Sequence, residues 1–284
     1  MKTRIRIICL ALVFSFLIAS STDAGVSIIG GLSHQKKTKP GEIYKGSILI
    51  KNTGTEPQEI KIYQTDYQFR FDGSNNYGPP GKLKRSNANW LSFNPHRLII
   101  PPGEVSMVNY TVKVPNEPNL PDDPNLPNDP NLVGTYWSML MVEGIPKSSR
   151  ESSLLEKGKT KVGITQIIRY GIQMITHMGD TGERKLKFLE TKLLREAEKR
   201  LLQVDMENIG QRWLRLSLWA ELYDESGRYI GKFDGGRKHI YPGTSVRYKV
   251  DLSNVPRGNY KALVVADCGE DYIFGANFNL KFEK

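Results

Sequence analysis

Cysteine is scarce in this sequence, and the scarcity excludes two kinds of protein. Of the two cysteines in 284 residues, Cys9 lies in an apolar N-terminal run and Cys268 lies near the other end. Without that run only Cys268 remains, so no intramolecular disulfide forms and the chain is not a disulfide-stabilised scaffold. A zinc site made of several thiolates is excluded for the same reason.

Short motifs that carry catalytic chemistry are also missing. The sequence has no Gly-x-Ser-x-Gly, no glycine-rich phosphate loop ending in Lys-Ser/Thr, and no His-Glu-x-x-His. Its four histidines, at positions 34, 96, 177 and 239, are far apart along the chain. We predict a protein that is not an enzyme and holds neither metal nor cofactor. An enzyme whose site is assembled from distant residues stays open as an alternative.

Beyond the first 24 residues, no apolar run is long enough to cross a membrane. Those 24 residues join a basic start, MKTRIRI, to a short apolar stretch, ICLALVFSFLIAS, and a small-residue site that ends at Ala24. This order is typical of a cleaved secretory signal peptide. We predict a periplasmic protein whose mature chain has no stable membrane insertion, with a secreted or cell-surface location as the alternative.

Acidic residues are in the minority, since 40 Lys and Arg against 30 Asp and Glu give a formal net charge of +10. Such a balance fits a face that binds nucleic acid or anionic lipid, and it also fits a solubilising surface. The basic residues are scattered over both halves without forming a block, which favours the solubilising surface. We therefore predict no nucleic-acid partner.

Apolar and polar residues alternate with a period of two through most of the chain. Residues 108–114, 202–206 and 278–282 show the pattern clearly, and Gly, Pro and Asn interrupt such runs. Alternation of this kind indicates half-buried β-strands joined by turns. The sequence therefore predicts an all-β fold.

Three landmarks occur twice in the same order, which indicates two related β units. They are Asn52-Thr53-Gly54, Pro102-Gly103 and Gly134-Thr135-Tyr136, and then Asn208-Ile209-Gly210, Pro242-Gly243 and Gly258-Asn259-Tyr260. Immunoglobulin-like sandwiches often begin the sixth strand with a Tyr whose hydroxyl bonds back to the preceding corner. Two ordinary half-buried tyrosines remain the alternative. We predict two immunoglobulin-like β-sandwich domains in tandem after a cleaved signal peptide, residues 25–180 and 181–284.

Residues 115–132, PNEPNLPDDPNLPNDPNL, contain three copies of Pro-x-x-Pro-Asn-Leu. The first unit exceeds the second by nearly this length between its Pro-Gly and Gly-x-Tyr landmarks, so the run is an insertion in a loop rather than a linker. Its prolines exclude helix and central strand. We predict a solvated polyproline II spacer, with a binding role for its acidic residues as the alternative.

Two segments depart from simple alternation. Residues 189–202, LETKLLREAEKRLL, carry strong helix formers before a strand, which predicts a strand, a helical turn near Arg195–Lys199 and a second strand. Near Thr65-Asp66 the apolar positions change from even to odd, which predicts a bulge or a strand that crosses between sheets.

Aromatic residues follow that change of parity, in YQTDYQFRFDGSNNYGPPG (63–81). They fit core packing beside a hairpin turn at Asp72–Tyr77. They also fit a sugar-stacking platform with Asp66 as a polar contact, and core packing is favoured.

The segments on either side of residues 146–160 are apolar on both faces. TYWSMLMVEGIP (135–146) precedes a polar, Ser- and Lys-rich connection, and KVGITQIIRYGIQMITH (161–177) follows it. Two such strands are either fully buried or form a hydrophobic edge. The use of such an edge is to add a strand to a partner's sheet.

These features resemble the periplasmic pilus-assembly (PapD-like) chaperones, which have two immunoglobulin-like domains. LPNDPNLVGTYWSMLMVEGIP (126–146) is similar to that family's Leu-Pro-x-Asp segment, its apolar sixth strand and the Ile-Pro after it. ITQIIRYGIQMI (164–175) resembles the family's last strand. The resemblance implies a chaperone-like protein that binds exported pilus or surface-structure subunits by β-strand addition, this strand completing the subunit's unfinished sandwich.

The same resemblance implies which residues bind the partner. If the even face of the last strand points outward, four side chains insert into the subunit. They are Ile164, Ile168, Tyr170 and Ile172. The family also binds the subunit's terminal carboxylate with an Arg of its first strand and a Lys near its last.

In this chain GVSIIGGLSH (25–34) has no Arg, and Lys161 and Arg169 are the nearby candidates for the second role. The alternative function is a non-catalytic structural, adhesive or glycan-binding surface module.

Overall fold

The computed structural model describes residues 25–116, 132–147, 149, 151–154, 167–269 and 272–282. In these residues the regular structure is β-strand, apart from one turn of 3₁₀-helix at Ala88–Trp90. The predicted all-β class is confirmed. The predicted signal peptide and most of the Pro-Asn-Leu insertion lie outside the described residues.

Ten of the described strands build the first β-sandwich. They are β1 Ser27–Ile29, β2 Ser33–Thr38, β3 Ile43–Lys51, β4 Gln58–Phe69, β5 Asn75–Gly78, β6 Leu91–Asn94, β7 Arg97–Ile100, β8 Val105–Lys113, β9 Gly134–Ile145 and β10 Arg169–Met178. One sheet has the order β1-β3-β8-β6. The other has the order β2-β10-β9-β4-β5, with β7 also paired to β4.

Alternate residues of both sheets meet in one core. Ile48 and Val108 come from the first sheet, and Ile60, Leu140 and Ile172 come from the second. All five side chains are buried, because period-two strands send every second residue to the same side. The apolar faces read from the alternating sequence are thus the faces that pack.

The chain from β1 to β2 passes from one sheet to the other. β1 pairs antiparallel with β3, whereas β2 pairs parallel with β10. Gly30 between them has φ +97°, a backbone conformation that glycine adopts without a steric penalty. The first segment of the chain therefore ties both sheets together.

Seven further strands build the second β-sandwich. They are β11 Leu186–Glu196, β12 Lys199–Asn208, β13 Leu214–Asp224, β14 Tyr229–Ile240, β15 Ser245–Asp251, β16 Gly258–Asp267 and β17 Ile273–Phe282. The sheets have the orders β11-β12-β15 and β14-β13-β16-β17. Leu202, Val204, Met206 and Leu280 lie in its core, as their alternation predicts.

The internal repeat has an atomic basis. Asn52 donates from Nδ2 to the carbonyl oxygens of Glu56 (2.7 Å) and Ile100 (2.9 Å), and Gly54 N–H donates to Asn52 Oδ1 (2.9 Å). In the second sandwich the side chain of Asn208 makes the same set of bonds to its own corner. The main-chain carbonyl oxygen of each Asn also accepts a hydrogen bond from the N–H of the glycine in the matching Pro-Gly pair. The two related β units are therefore built on one repeated corner.

The tyrosine corner is present in the second sandwich. Tyr260 donates from its hydroxyl to the carbonyl oxygen of Pro256 at 3.0 Å. In the first sandwich Tyr136 is buried, with its ring 4.7 Å from that of Trp90 and near the guanidinium of Arg85. The predicted domain boundaries at residues 180 and 181 stay a prediction.

Two local predictions were wrong. β11 and β12 form a continuous hairpin whose turn lies at residues 197–198, with Ala197 at φ +51°, so there is no helical turn between Arg195 and Lys199. Strand pairing overrides the helix propensity of this segment. β4 also runs as one strand from Gln58 to Phe69, without a register shift in its pairing to β9 or to β5, and both partners belong to one sheet.

Contact between the sandwiches explains why the apolar positions of β4 change parity. Phe69 lies on the outer face of β4, where it packs with Trp137, Ile175 and Tyr241. The rings of Trp137 and Tyr241 stack with centroids 4.7 Å apart. The outer face becomes apolar because the second sandwich covers it, so the strand itself neither bulges nor crosses between sheets.

Candidate partner-binding edge

Strand β10 has an edge that its neighbours cover only in part. It pairs with β9 along its whole length, from Arg169 to Met178. On its other side β2 pairs only with residues 173–178. On the β2 side, the stretch at residues 167–172 therefore has no strand beside it among the described residues. We call this side of the stretch the open edge.

The directions of two hydrogen bonds fix which main-chain groups face outward. Ile168 accepts from Gly144 N–H on the β9 side (3.3 Å), whereas Gln173 donates to Leu32 on the β2 side (2.8 Å). Successive residues of a strand direct their N–H and C=O groups to opposite sides. The N–H and C=O groups that face the open edge are therefore those of Ile167, Arg169 and Gly171. Within the described ranges these groups make no backbone hydrogen bond.

The structure turns the even face of β10 inward. Ile172 is 0% exposed in the first core, and half-buried Tyr170 packs against that core. Tyr170 also donates to the carbonyl oxygen of Val26 at 2.9 Å. The predicted insertion of Tyr170 and Ile172 into a partner required the even face to point outward. At these two residues it points inward. Ile168 is half-buried beside them, and its role stays a prediction.

The remaining predicted binding residues lie elsewhere. Ile164 and Lys161 fall outside the described residues. Arg169 is exposed on the outer face of β10, where Nε donates to Glu143 at 2.5 Å. It is thus already paired within this chain, and its predicted role as a carboxylate anchor stays a prediction.

A row of opposite charges crosses the outer face beside the open edge. Lys61, Glu143 and Arg169 stand directly opposite one another on β4, β9 and β10. Lys61 Nζ lies 3.4 Å from Glu143 Oε1, and the hydroxyl of Tyr63 donates to Glu143 Oε2 at 2.7 Å. Burial acts to raise the pKa of Glu143, but the hydrogen bonds from Arg169 and Tyr63 outweigh it and the pKa is lowered. Glu143 is therefore held as a carboxylate.

The next row on this face contains sulfur. Tyr63, Met141 and Gly171 stand opposite one another, and Met139 reaches over from the row beyond. A Cβ added at Gly171 would lie 2.3 Å from the methyl carbon of Met139 and 3.5 Å from the sulfur of Met141. The absence of a side chain at Gly171 therefore leaves room for the methionines at the edge of the sheet.

Glu59 anchors the start of the connection between β9 and β10. It is 1% exposed, yet its carboxylate accepts from the Ser153 N–H (2.7 Å), the Ser153 hydroxyl (2.8 Å) and the Ser152 hydroxyl (3.0 Å). Arg97 Nη1 lies 3.3 Å away. Burial acts to raise the pKa of Glu59, but these hydrogen bonds and the charge of Arg97 lower it. One buried carboxylate thus holds a connecting segment against the sheet.

The aromatic segment that had two interpretations packs mainly against the protein. Asp66 is buried and accepts from the N–H groups of Gly81 (3.0 Å), Lys82 (2.7 Å) and Leu83 (2.7 Å). It therefore shapes a loop rather than facing a sugar. Of the rings, Tyr77 is exposed, and its centroid lies 5.1 Å from that of half-buried Tyr67.

Sequence reasoning missed the acidic residues that organise this region. Glu59 and Glu143 are buried on the outer face, Glu59 at the start of the alternating strand β4 and Glu143 within the apolar strand β9. An acid inside a run such as TYWSMLMVEGIP is the available signal, because a buried carboxylate needs donors to compensate for lost hydration.

None of the helical structure in the described residues is long and apolar enough to cross a membrane. No group of three or more His, Cys, Asp and Glu in that part of the chain is placed to hold a metal ion.

Comparison with known proteins gives structural neighbours only. No protein-family profile and no curated protein matches this sequence. A chain of the chaperone–tip adhesin complex of CFA/I fimbriae is similar, with 14% identity, a TM-score of 0.46, and coverage of 90% of this chain and 98% of that one.

Two further solved structures are similar over most of the chain. One is the CsuC–CsuE chaperone–tip adhesion subunit complex from Csu pili of Acinetobacter baumannii, with 16% identity, a TM-score of 0.44, and coverage of 89% and 98%. The other is the chaperone YadV, with 13% identity, a TM-score of 0.40, and coverage of 90% and 100%. These neighbours are chaperones of the kind that the sequence resembles. The two-sandwich fold of this chain follows from its own strand pairing.

Proposed function

We propose that this protein is an exported, non-catalytic, chaperone-like protein that binds pilus or surface-structure subunits by β-strand addition. The partner strand lies along the open edge of β10, and it joins the sheet β2-β10-β9-β4-β5 in line with β2. The proposal places the protein in the periplasm.

The open edge is the observation that carries this proposal. At Ile167, Arg169 and Gly171 the main-chain groups face away from β9 without a backbone partner among the described residues. Unpaired groups in a row on a strand edge are a template for another chain. Main-chain hydrogen bonds then supply affinity, and side chains at alternate positions supply specificity.

The surroundings favour binding over catalysis. Glu143 lies one strand from this edge and Glu59 lies two strands from it, and both buried acids are engaged by donors that hold the strands and the connecting segment. Their lowered pKa values keep them ionised at neutral pH, so neither is placed to deliver a proton. We therefore assign them a structural part in the proposed function.

Proline substitution at the open edge tests the proposal. Ile167 is 52% exposed and directs its N–H outward, so Ile167→Pro removes a donor and places a ring where a partner strand would lie. Ile167→Ala is the matched control, because it loses the same side chain but keeps the N–H. Each protein is expressed with its natural export signal and a C-terminal tag, purified from the periplasm, and analysed by mass spectrometry for proteins that co-elute.

The expected result is a small exported protein recovered in stoichiometric amount with the wild type and Ile167→Ala, but not with Ile167→Pro. Equal recovery with all three proteins would refute strand addition at this edge. Recovery of the protein alone, or with cell-wall glycan, would favour the structural or glycan-binding alternative.

A further inference from the structure

The rows of side chains beside the open edge carry information about the strand that binds there. This inference rests on the proposed function, since it concerns the partner of the same edge. A strand added next to β10 places every second side chain on the outer face, directly opposite Ile167, Arg169 and Gly171. The chemistry of these three positions therefore acts on alternate residues of the partner.

The central position continues a row of alternating charge. Lys61 is positive, Glu143 is negative and Arg169 is positive, and each stands directly opposite the next. The alternation covers β4, β9 and β10 only, because Arg97 on β7 stands opposite Lys61 with the same sign. Opposite charges on neighbouring strands stabilise a sheet and like charges destabilise it. The residue of the partner that stands opposite Arg169 therefore extends the row favourably if it is acidic.

Arg169 has donors left for such a residue. Its Nε bonds to Glu143, and among the residues that the structure describes its two terminal nitrogens make no hydrogen bond. The side chain is 53% exposed at the edge of the sheet. A guanidinium presents its donors in a planar fork that matches a carboxylate.

The flanking positions are apolar. Ile167 lies two residues before Arg169 on the same face and is exposed. Gly171 lies two residues after it, and the Met139 methyl group occupies the place of its missing side chain with the Met141 sulfur nearby. Thioether side chains adapt to a large apolar neighbour, and an adjacent large side chain covers a glycine at an edge.

We infer that the open edge selects an extended segment in which an acidic residue is flanked, two positions away on each side, by apolar residues. The acidic residue pairs with Arg169. One apolar residue packs beside Ile167, and the larger one packs over Gly171 and the two methionines. Arg169 is thus a specificity-determining residue, and Gly171 is the position where the partner side chain meets the methionines instead of a side chain of β10.

Short peptides test this selection on the full-length mature protein. The probe is an acetylated, amidated heptapeptide with valine, aspartate and phenylalanine at its second, fourth and sixth positions and threonine elsewhere. A second peptide has asparagine in place of aspartate. Both peptides are also made with the reverse sequence, because the side chains of β10 favour neither a parallel nor an antiparallel partner strand. Binding is followed by NMR titration of the backbone amides of Arg169 and Gly171.

We expect the aspartate peptide to bind about fivefold more tightly than the asparagine peptide in low salt, with the ratio falling as salt is added. Arg169→Gln should abolish the ratio, while Arg169→Lys should retain most of it. Lys45→Gln is the charge-matched control, because Lys45 is exposed on β3 in the other sheet and its loss should leave the ratio unchanged.

Two results would overturn the inference in different ways. Equal binding of both peptides in the better orientation, with shifts confined to the open edge, refutes charge selection and leaves strand addition intact. Failure of every peptide to shift the edge amides, together with equal partner recovery by Ile167→Pro and Ile167→Ala, refutes both the selection and the proposed function.

Discussion

Replacing Glu59 with Gln should release the first part of the β9–β10 connection without unfolding the sandwich. The substitution keeps the size of the side chain but removes its charge and turns one acceptor into a donor. In the native protein the carboxylate accepts three hydrogen bonds from Ser152 and Ser153 and lies beside Arg97. A Gln side chain offers one neutral oxygen to these donors, so the hydrogen bonds to a charged acceptor and the pairing with Arg97 are lost, and the Ser153 hydroxyl must turn to accept from the amide.

The size of the effect follows from those contacts. A hydrogen bond to a charged acceptor contributes about 1.5–3 kcal/mol, and a buried donor left without a partner costs a similar amount. We take about 2 kcal/mol as the cost of opening the segment, because Gln retains part of the network. At roughly 1.4 kcal/mol per factor of ten, the segment opens about thirtyfold more often.

Amide hydrogen exchange measures this opening directly. The Ser153 N–H donates to Glu59 at 2.7 Å, so its protection factor should fall about thirtyfold in Glu59→Gln. Amides in the middle of β9 should change little, since their bonds belong to the sheet. Glu104→Gln is the control, because Glu104 is exposed at the turn before β8.

Acid should have the same effect on the wild type. The folded protein lowers the pKa of Glu59, so the stabilisation is complete above the ordinary pKa of Glu, about 4.3, and is lost as the pH falls through the folded value. Ser153 protection, corrected for intrinsic exchange, should therefore fall below about pH 4 in the wild type and stay flat in Glu59→Gln. Unchanged Ser153 protection in a folded Glu59→Gln variant would refute the reasoning.

Three further substitutions test other contacts. Arg247→Met removes the bidentate partner of fully buried Asp205, so it should lower the free energy of unfolding of the second sandwich by about 3 kcal/mol in urea, and no change would show that the pair is dispensable. Tyr260→Phe removes the corner hydrogen bond and should cost about 1 kcal/mol in the same assay, against an expectation of zero if the hydroxyl is merely solvated. Gly134→Ala places a Cβ 2.1 Å from the carbonyl oxygen of Gln211 across the boundary, so calorimetry should resolve two melting transitions, and a single unshifted transition contradicts this.

The repeated corners were readable from the sequence because they depend on local chemistry. Asn52 and Asn208 each bond to a carbonyl four residues later, and each precedes a glycine by two residues. Such short-range patterns leave the same letters at the same spacing in both units. Alternation was readable for a similar reason, since the face of a strand residue depends only on its parity.

Features that depend on distant partners were not readable. Phe69 lies at an odd position because another sandwich covers the outer face of β4, and the sequence near Phe69 is the same whether or not that cover exists. The inward turn of Ile172 likewise depends on which side of β10 faces the other sheet. Glu59 finds its donors far along the chain at Ser152 and Ser153, and nothing in the polar and apolar alternation around it distinguishes it from a solvent-facing acid.

The passage of the first segment between two sheets has a consequence for how the chain reaches its fold. β2 is made early, yet its partner in the sandwich is β10, the last strand of the first ten. Contacts of such high sequence separation close late, because a long loop must be ordered before they form. The first sandwich therefore closes only after residue 178 is available, and residues 173–178 of β10 lack their β2 partner until that late contact forms. We expect the folding chain to pass through a stage in which this strand is exposed along both the part that stays open and the part that β2 later covers.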